Sequence, residues 1–244
     1  MTELPEGPVI EVTVAAPADA VWAALRDPDL IRRWHGWDVE ELAEEIRTIY
    51  LNGVTEDPVA RTLDIAGGDR FTLHELSDTS TIVRITQAPR GSDPDWVDYY
   101  DDITEGWWTF LHQLRFAVER HRLAERRTIL FHGLLADPRP ILDAAGLQTL
   151  RAIEPGAAYR AVAPSGEELS GTLWARRPTQ VAVTVDGWGD GLLILADQPV
   201  NPHRPAGGAM LLLTTYGLDD AQWEALKERW AAWWEKHRAP DPLP

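Results

Sequence analysis

Cysteine is missing from the sequence altogether. That excludes disulfides, thiolate catalysis, and zinc or iron–sulfur sites held by cysteine. Lysine is nearly missing: Lys227 and Lys236 stand alone, and the other basic residues are arginine. Against 23 Lys and Arg there are 39 Asp and Glu, a net charge of −16. Such a surface does not displace counterions from a phosphate backbone, so nucleic acid is not expected as a partner. Arg32-Arg33, Arg126-Arg127 and Arg176-Arg177 are isolated pairs that build no basic patch. No apolar run approaches the ~20 residues of a membrane span. The opening Met1-Thr2-Glu3-Leu4-Pro5 is acidic where a secretory signal is basic. The expectation is a cytoplasmic chain with no membrane partner.

Recognisable catalytic motifs are also lacking. There is no His-Glu-x-x-His for zinc, no Gly-x-Ser-x-Gly elbow and no phosphate-cradling loop ending in Lys-Ser/Thr. The histidines at 35, 74, 112, 121, 132, 203 and 237 include no pair at metal-ligand spacing. Gly187-Trp188-Gly189-Asp190-Gly191 looks like a dinucleotide fingerprint, yet it lies between two strand candidates with no helix after it. A hairpin turn is the better reading. Carboxylate pairs such as Glu40-Glu41 and Glu44-Glu45 read as solvated faces. No metal, cofactor or catalytic residue is therefore assigned from the residues alone.

Aromatic residues are what the chain has in quantity, with 12 tryptophans in 244 residues. Trp223, Leu226, Trp230, Trp233 and Trp234 recur on one face of a helix over 219–237. Ile103, Trp107, Leu111, Leu114 and Val118 do the same over 101–121. Each such helix closes a run of strands. The first run begins with alternating Ile10, Val12 and Val14, and adds candidates over 60–65, 70–76 and 81–87. Between them Asp27-Pro28 is a helix start, and 39–51 reads as helical from Leu42, Ile46 and Ile49. Residues 87–96 read as a loop. The second run has strand candidates over 128–132, 158–163, 169–176, 179–185, 191–196 and 209–216, with Asp137-Pro138 as its helix start. This repeated order argues for a duplicated domain, 1–125 and 126–244.

The stretch VIEVTVAAPADAVWAALRDPDLIRRWHGW, followed later by ITEGWWTFLHQLRFAVE, resembles the START-like, helix-grip superfamily often labelled SRPBCC. The resemblance rests on Ala16-Pro17, Trp22, Arg33-Trp34 and Gly106-Trp107 in order, and within the superfamily it points to the branch named for the activator of heat-shock protein 90 ATPase. It implies an α+β fold of two tandem helix-grip domains, each a curved antiparallel sheet wrapped around a long C-terminal helix, the second a divergent copy. It also implies a cavity between sheet and helix. Trp34, His35 and Trp37 are then candidates at its entrance, with Trp107 in its wall and Arg84 and His112 as polar contacts. The leading expectation is non-enzymatic binding of a small hydrophobic or aromatic molecule. Two other readings stand beside it. One is a co-chaperone-like module with a protein partner. The other is a cyclase or hydrolase-like enzyme that uses His35 or His112 as its acid–base group.

Overall fold

The computed structural model describes residues 7–89 and 94–240, with side chains left out for 94–101. By its internal contacts the chain divides into two compact units, Met1–Ala124 and Glu125–Pro244.

In the first unit the alternation of β1 (Val9–Val14) buries Ile10, Val12 and Val14 and exposes the residues between them. Helix α1 (Ala18–Arg26) follows directly on Pro17 and buries Val21, Ala24 and Leu25. Asp27 then ends one helix and starts the next. Its backbone is extended, and its carboxylate accepts from the Asp29 amide at 2.9 Å to cap α2 (Pro28–Ile31). Asp27→Ala is expected to cost about 1 kcal/mol, read as a lowered urea midpoint with an unchanged slope. An unchanged midpoint would show that Pro28 alone fixes the corner.

The 39–51 segment is helical, but not uniformly. A short α3 (Leu42–Ile46) passes into a π-turn (Arg47–Leu51), closed by an Asn52 N–H to Arg47 C=O bond of 2.9 Å. Four more strands, β2 (Thr55–Asp57), β3 (Thr62–Asp64), β4 (Arg70–Ser77) and β5 (Ser80–Thr86), complete an antiparallel sheet ordered β1-β5-β4-β3-β2. Helix α4 (Pro94–His121) packs along it and buries Trp107, Trp108, Leu111, Leu114 and Phe116. It starts at Pro94, inside the stretch expected to be loop. A proline in the first helical turn loses no intrahelical bond and has its φ already set, so it extends the helix backwards.

The second unit repeats this plan. Strands β6 (Arg127–Gly133), β7 (Ala158–Val162), β8 (Glu168–Arg176), β9 (Gln180–Val185), β10 (Gly191–Gln198) and β11 (Gly208–Thr215) form an antiparallel sheet ordered β6-β11-β10-β9-β8-β7. The helix expected at Asp137-Pro138 instead begins after Pro140, as α5 (Ile141–Ala144). A second proline disfavours helical backbone in the residue before it. The N-terminal amide of α5 is satisfied from a distance, Ile141 N–H donating to the Asp197 carboxylate of β10 at 2.7 Å. A 3₁₀ turn (Gln148–Ala152) precedes β7. The closing α6 (Asp220–His237) is capped by a reciprocal pair, the Asp219 carboxylate on the Gln222 amide and the Gln222 side chain on the Asp219 amide. Leu226, Trp230, Trp233 and Trp234 of α6 pack on Leu173, Val183, Leu193, Leu195, Leu211 and Leu213 of the sheet. Trp223, the first residue of the expected stripe, is only half-buried, with the Arg127 guanidinium 5.0 Å over its ring.

The closing helix of each unit is tied to its own sheet by an indole. Trp107 Nε1–H donates to Asp69 Oδ2 at 2.7 Å, and Trp230 Nε1–H donates to Glu167 Oε2 at 2.7 Å. Both carboxylates sit in β-hairpin turns, one between β3 and β4, the other between β7 and β8. The architecture is thus α+β, two tandem helix-grip units, each an antiparallel sheet closed over a long C-terminal helix.

Candidate functional site

The six residues singled out from sequence do not form one group. Four lie together in unit 1. Trp34 is fully buried, and its indole N–H donates to the Ala24 carbonyl of α1 at 2.8 Å, which locks the corner after α2. That corner delivers His35 into the interior, where it too is fully buried. Trp107 comes from the middle of α4 and Trp37 lies half-buried, both in ring contact with Phe110 at 5.9 and 6.3 Å between centroids.

Arg84 is elsewhere. It sits opposite Glu11 in the β1–β5 register and bonds its carboxylate at 2.7 Å, on the face away from buried Val83 and Ile85. The expectation of a pocket contact is corrected by the pleat: residues one step apart along a strand point to opposite sides. His112 is buried on another face of α4, its ring 4.2 Å from that of Trp108, beside a separate hollow shared with Glu11, Ala15, Arg115 and Glu119.

Around His35 the structure brings in residues that sequence reasoning had not selected. Tyr50, from the π-turn, is fully buried, and its phenol lies 2.9 Å from His35 Nδ1. Glu45, on α3, places Oε1 3.2 Å from His35 Nε2. One proton arrangement satisfies both contacts: the phenol donates to Nδ1, and Nε2–H donates to the carboxylate. The result is a continuous chain, Tyr50 to His35 to Glu45, running from the core to a carboxylate whose side chain is 42% exposed.

The rings of Phe110, Tyr50 and Trp34 lie 4.4, 5.1 and 5.6 Å from that of His35. Phe71 and Trp107 close over Tyr50 at 6.2 and 6.5 Å. Within this apolar shell, burial and the nearby Glu45 charge push the Tyr50 phenol well above its ordinary pKa, which keeps it a donor. The hydrogen bond from His35 holds the Glu45 carboxyl below its ordinary value, against the opposing effect of partial burial.

The phase of this helical segment explains Tyr50. Leu42, Ile46 and Ile49 were expected to face inward, yet Ile49 is only part-buried and Tyr50 is fully so. The i→i+5 turn is wider than an α-turn and brings the next residue onto the buried line. The Tyr50 carbonyl, left behind as the chain leaves the helix, accepts from Arg26 at 2.6 Å. On the flank of α3 a groove of about 640 Å³ is lined by Pro28, Arg32, Val39, Leu42, Ile46 and Arg47, among others. Among the described residues no group of three or more His, Asp or Glu is placed to hold a metal ion. No described helix is long and apolar enough to cross a membrane.

No family model matches the chain, and no curated protein does. Solved structures do match along nearly its whole length. The di-domain ARO/CYC BexL from the BE-7585A biosynthetic pathway aligns over 98% of this chain and 100% of its own, at 14% identity and a TM-score of 0.38. The di-domain ARO/CYC StfQ from the steffimycin biosynthetic pathway covers 92% of this chain and 93% of its own, at 14% identity and a TM-score of 0.32. DynU16, from the dynemicin biosynthetic locus, covers 93% and 94% at 19% identity, also with a TM-score of 0.32.

The expectation of non-enzymatic ligand binding is corrected here. The interior of unit 1 at this site is occupied by interlocking rings around a polar chain, where an apolar binding cavity was expected.

Proposed function

We propose that the protein is a cyclase-like enzyme whose acid–base chemistry is carried by unit 1. The observation behind this reading is the Tyr50–His35–Glu45 chain, three titratable groups in series with only the last reaching solvent. The likeness to solved structures is too loose to carry it. A supporting feature is the π-turn, a rare element that recurs at functional sites. The groove beside α3 is within the size range of small-molecule sites, but Tyr50, His35 and Glu45 are not among its lining residues, so it does not itself present the base to a substrate.

In this reading Glu45 is the base. It removes a proton from a carbon next to a carbonyl: the C–H bond breaks, the proton bonds to the carboxylate, and the electron pair remains as an enolate. The enolate carbon attacks a second carbonyl of the same molecule, and the new alkoxide takes back the proton from Glu45. His35 holds the carboxylate in place through Nε2–H, and Tyr50, donating to Nδ1, supports the tautomer that allows it. A substrate covering Glu45 would strip water from it and so raise its basicity at the moment of use.

The test is deuterium uptake by an aryl-substituted methyl ketone in D₂O, followed by NMR. The wild-type protein should accelerate exchange at the α-carbon. Glu45→Gln and His35→Phe should each lower that rate by about 10²-fold or more. Wild-type exchange at the buffer rate, or full activity in Glu45→Gln, would sink the proposal. The pH profile carries a sign. Because Glu45 is shifted down from 4.5, the base form persists as the pH falls to that value and is lost only below it. The stability gained from the His35–Glu45 bond is likewise present above that point and fades as the pH drops through the lowered pKa.

The narrower resemblance, to the branch named for the activator of heat-shock protein 90 ATPase, would make unit 1 a protein-interaction module. A buried chain of titratable groups serves no purpose in docking a partner, and this favours the enzyme.

A further inference from the structure

The π-turn that carries Tyr50 is held at Ile49 by a backbone bond, the Ala66 N–H donating to the Ile49 carbonyl at 3.3 Å, and the phenol must meet one nitrogen of a buried ring. A side chain from α1 adds a second hold, at Tyr50 itself. Arg26 is the last residue of that helix, and its guanidinium is forked between two elements that come later in the chain. Nη1 donates to the Tyr50 carbonyl at 2.6 Å, and Nε pairs with the Glu56 carboxylate of β2 at 2.5 Å. The Arg26 side chain is 22% exposed and that of Glu56 41%, so the clamp sits under the surface with its acidic end outermost. A planar fork with fixed donor directions constrains both partners at once, which a flexible ammonium cannot do.

The geometry points to Arg26 as the positioning residue of the acid–base chain. By holding the backbone at Tyr50, it sets where the phenol lies; the acceptor-only Glu45 carboxylate calls for a proton on Nε2 of His35, and the phenol, donating to Nδ1, supports that tautomer against the other. Only the Nε2–H tautomer donates to Glu45. The polar partners of Arg26 are the Tyr50 carbonyl and the Glu56 carboxylate, so it acts on the three side chains through the backbone. The inference rests on the acid–base reading for its consequence in catalysis, but not for its structural content.

The experiment reads the tautomer directly. Protein labelled with ¹⁵N-histidine is examined by long-range ¹H–¹⁵N correlation, and the His35 signals are identified by their absence in His35→Gln. Wild type is expected to show a single Nε2–H form. Arg26→Met should give a mixture of tautomers and lose ketone exchange by up to about 10²-fold. Arg26→Lys, which restores one donor, should recover part of both. Should Arg26→Met fail to fold, Glu56→Ala removes the exposed anchor and should still produce a detectable second tautomer. An unchanged single tautomer in Arg26→Met, or in Glu56→Ala where that variant is the one that folds, overturns the assignment. So does lost exchange with an intact tautomer, since Arg26 would then act by another route. Wild-type protein without exchange would overturn the acid–base reading and leave the nitrogen spectra to decide on the clamp.

Discussion

Trp230→Ala is expected to destabilise unit 2 by roughly 4–8 kcal/mol, enough to remove most of the stability of an ordinary domain. Two losses add. Trp230 is fully buried, edge-on to Trp188 at 5.9 Å and to Trp233 at 5.7 Å. Deleting such a side chain costs about 3–5 kcal/mol in transfer and cavity energy. It also removes a donor from Glu167, whose side chain is only 12% exposed. A buried carboxylate short of a donor costs about 1–3 kcal/mol. Glu167 still has the Trp188 indole at 2.7 Å and the Arg229 guanidinium at 3.0 Å, which favours the lower end. Trp230→Phe separates the two losses, because it keeps most of the ring and discards the N–H. It should cost about 1–3 kcal/mol in urea unfolding at constant slope. Equal losses in the two variants would mean that the ring contributes nothing beyond its N–H. A silent Trp230→Phe would mean that Glu167 does not need this donor.

The same helix shows what could be read from the chain and what could not. Period 3.6 identified α4 and α6, and period 2 identified most of the strands, because each element has one face against a core. The N-cap Asp27 could be read because its action is local, a carboxylate meeting an amide two residues on. Asp197 capping α5 could not, since the acceptor comes from another strand. The site divides along the same line. Trp34, His35 and Trp107 stood out as aromatic residues at helix corners and on an apolar stripe. Arg84 was misplaced although the alternation of Val83 and Ile85 carries the signal for its face. Glu45 looked like one of many solvated carboxylates, and nothing local separates it from Glu44, which pairs with Arg47 on the surface. Tyr50 was hidden by a change of helical pitch that has no residue signature. Contacts made across the fold, by Arg26 to Tyr50 and by Trp107 to Asp69, follow from topology and leave no trace in spacing.

Gly189→Ala is expected to cost unit 2 roughly 2–5 kcal/mol, while Gly187→Ala, two residues earlier, should stay within about ±0.5 kcal/mol. Both lie in the run Gly187 to Gly191, which resembles a dinucleotide motif, and the two origins of such a run predict different patterns. In the structure it is the turn of the β9–β10 hairpin, with a 3₁₀ turn (Asp186–Trp188) ended by Gly189 in the left-handed region at φ 68° and ψ 41°. A side chain there costs about 1–2 kcal/mol in backbone energy alone. Its Cβ would also fall 1.7 Å from the Tyr216 carbonyl oxygen, so the end of β11 would have to move away, and overpacking of that kind adds about 1–3 kcal/mol. The movement would strain the Tyr216 N–H to Trp188 C=O bond of 3.1 Å that joins the turn to the strand. Gly191 is tight as well, its Cβ position 2.5 Å from the Thr214 carbonyl, whereas Gly187 has open space on every side. Were the glycines there to let a phosphate approach the backbone, stability would not follow this order of clearance. A urea series giving Gly187→Ala as the mildest and Gly189→Ala as the worst supports the hairpin, and a reversed order refutes it.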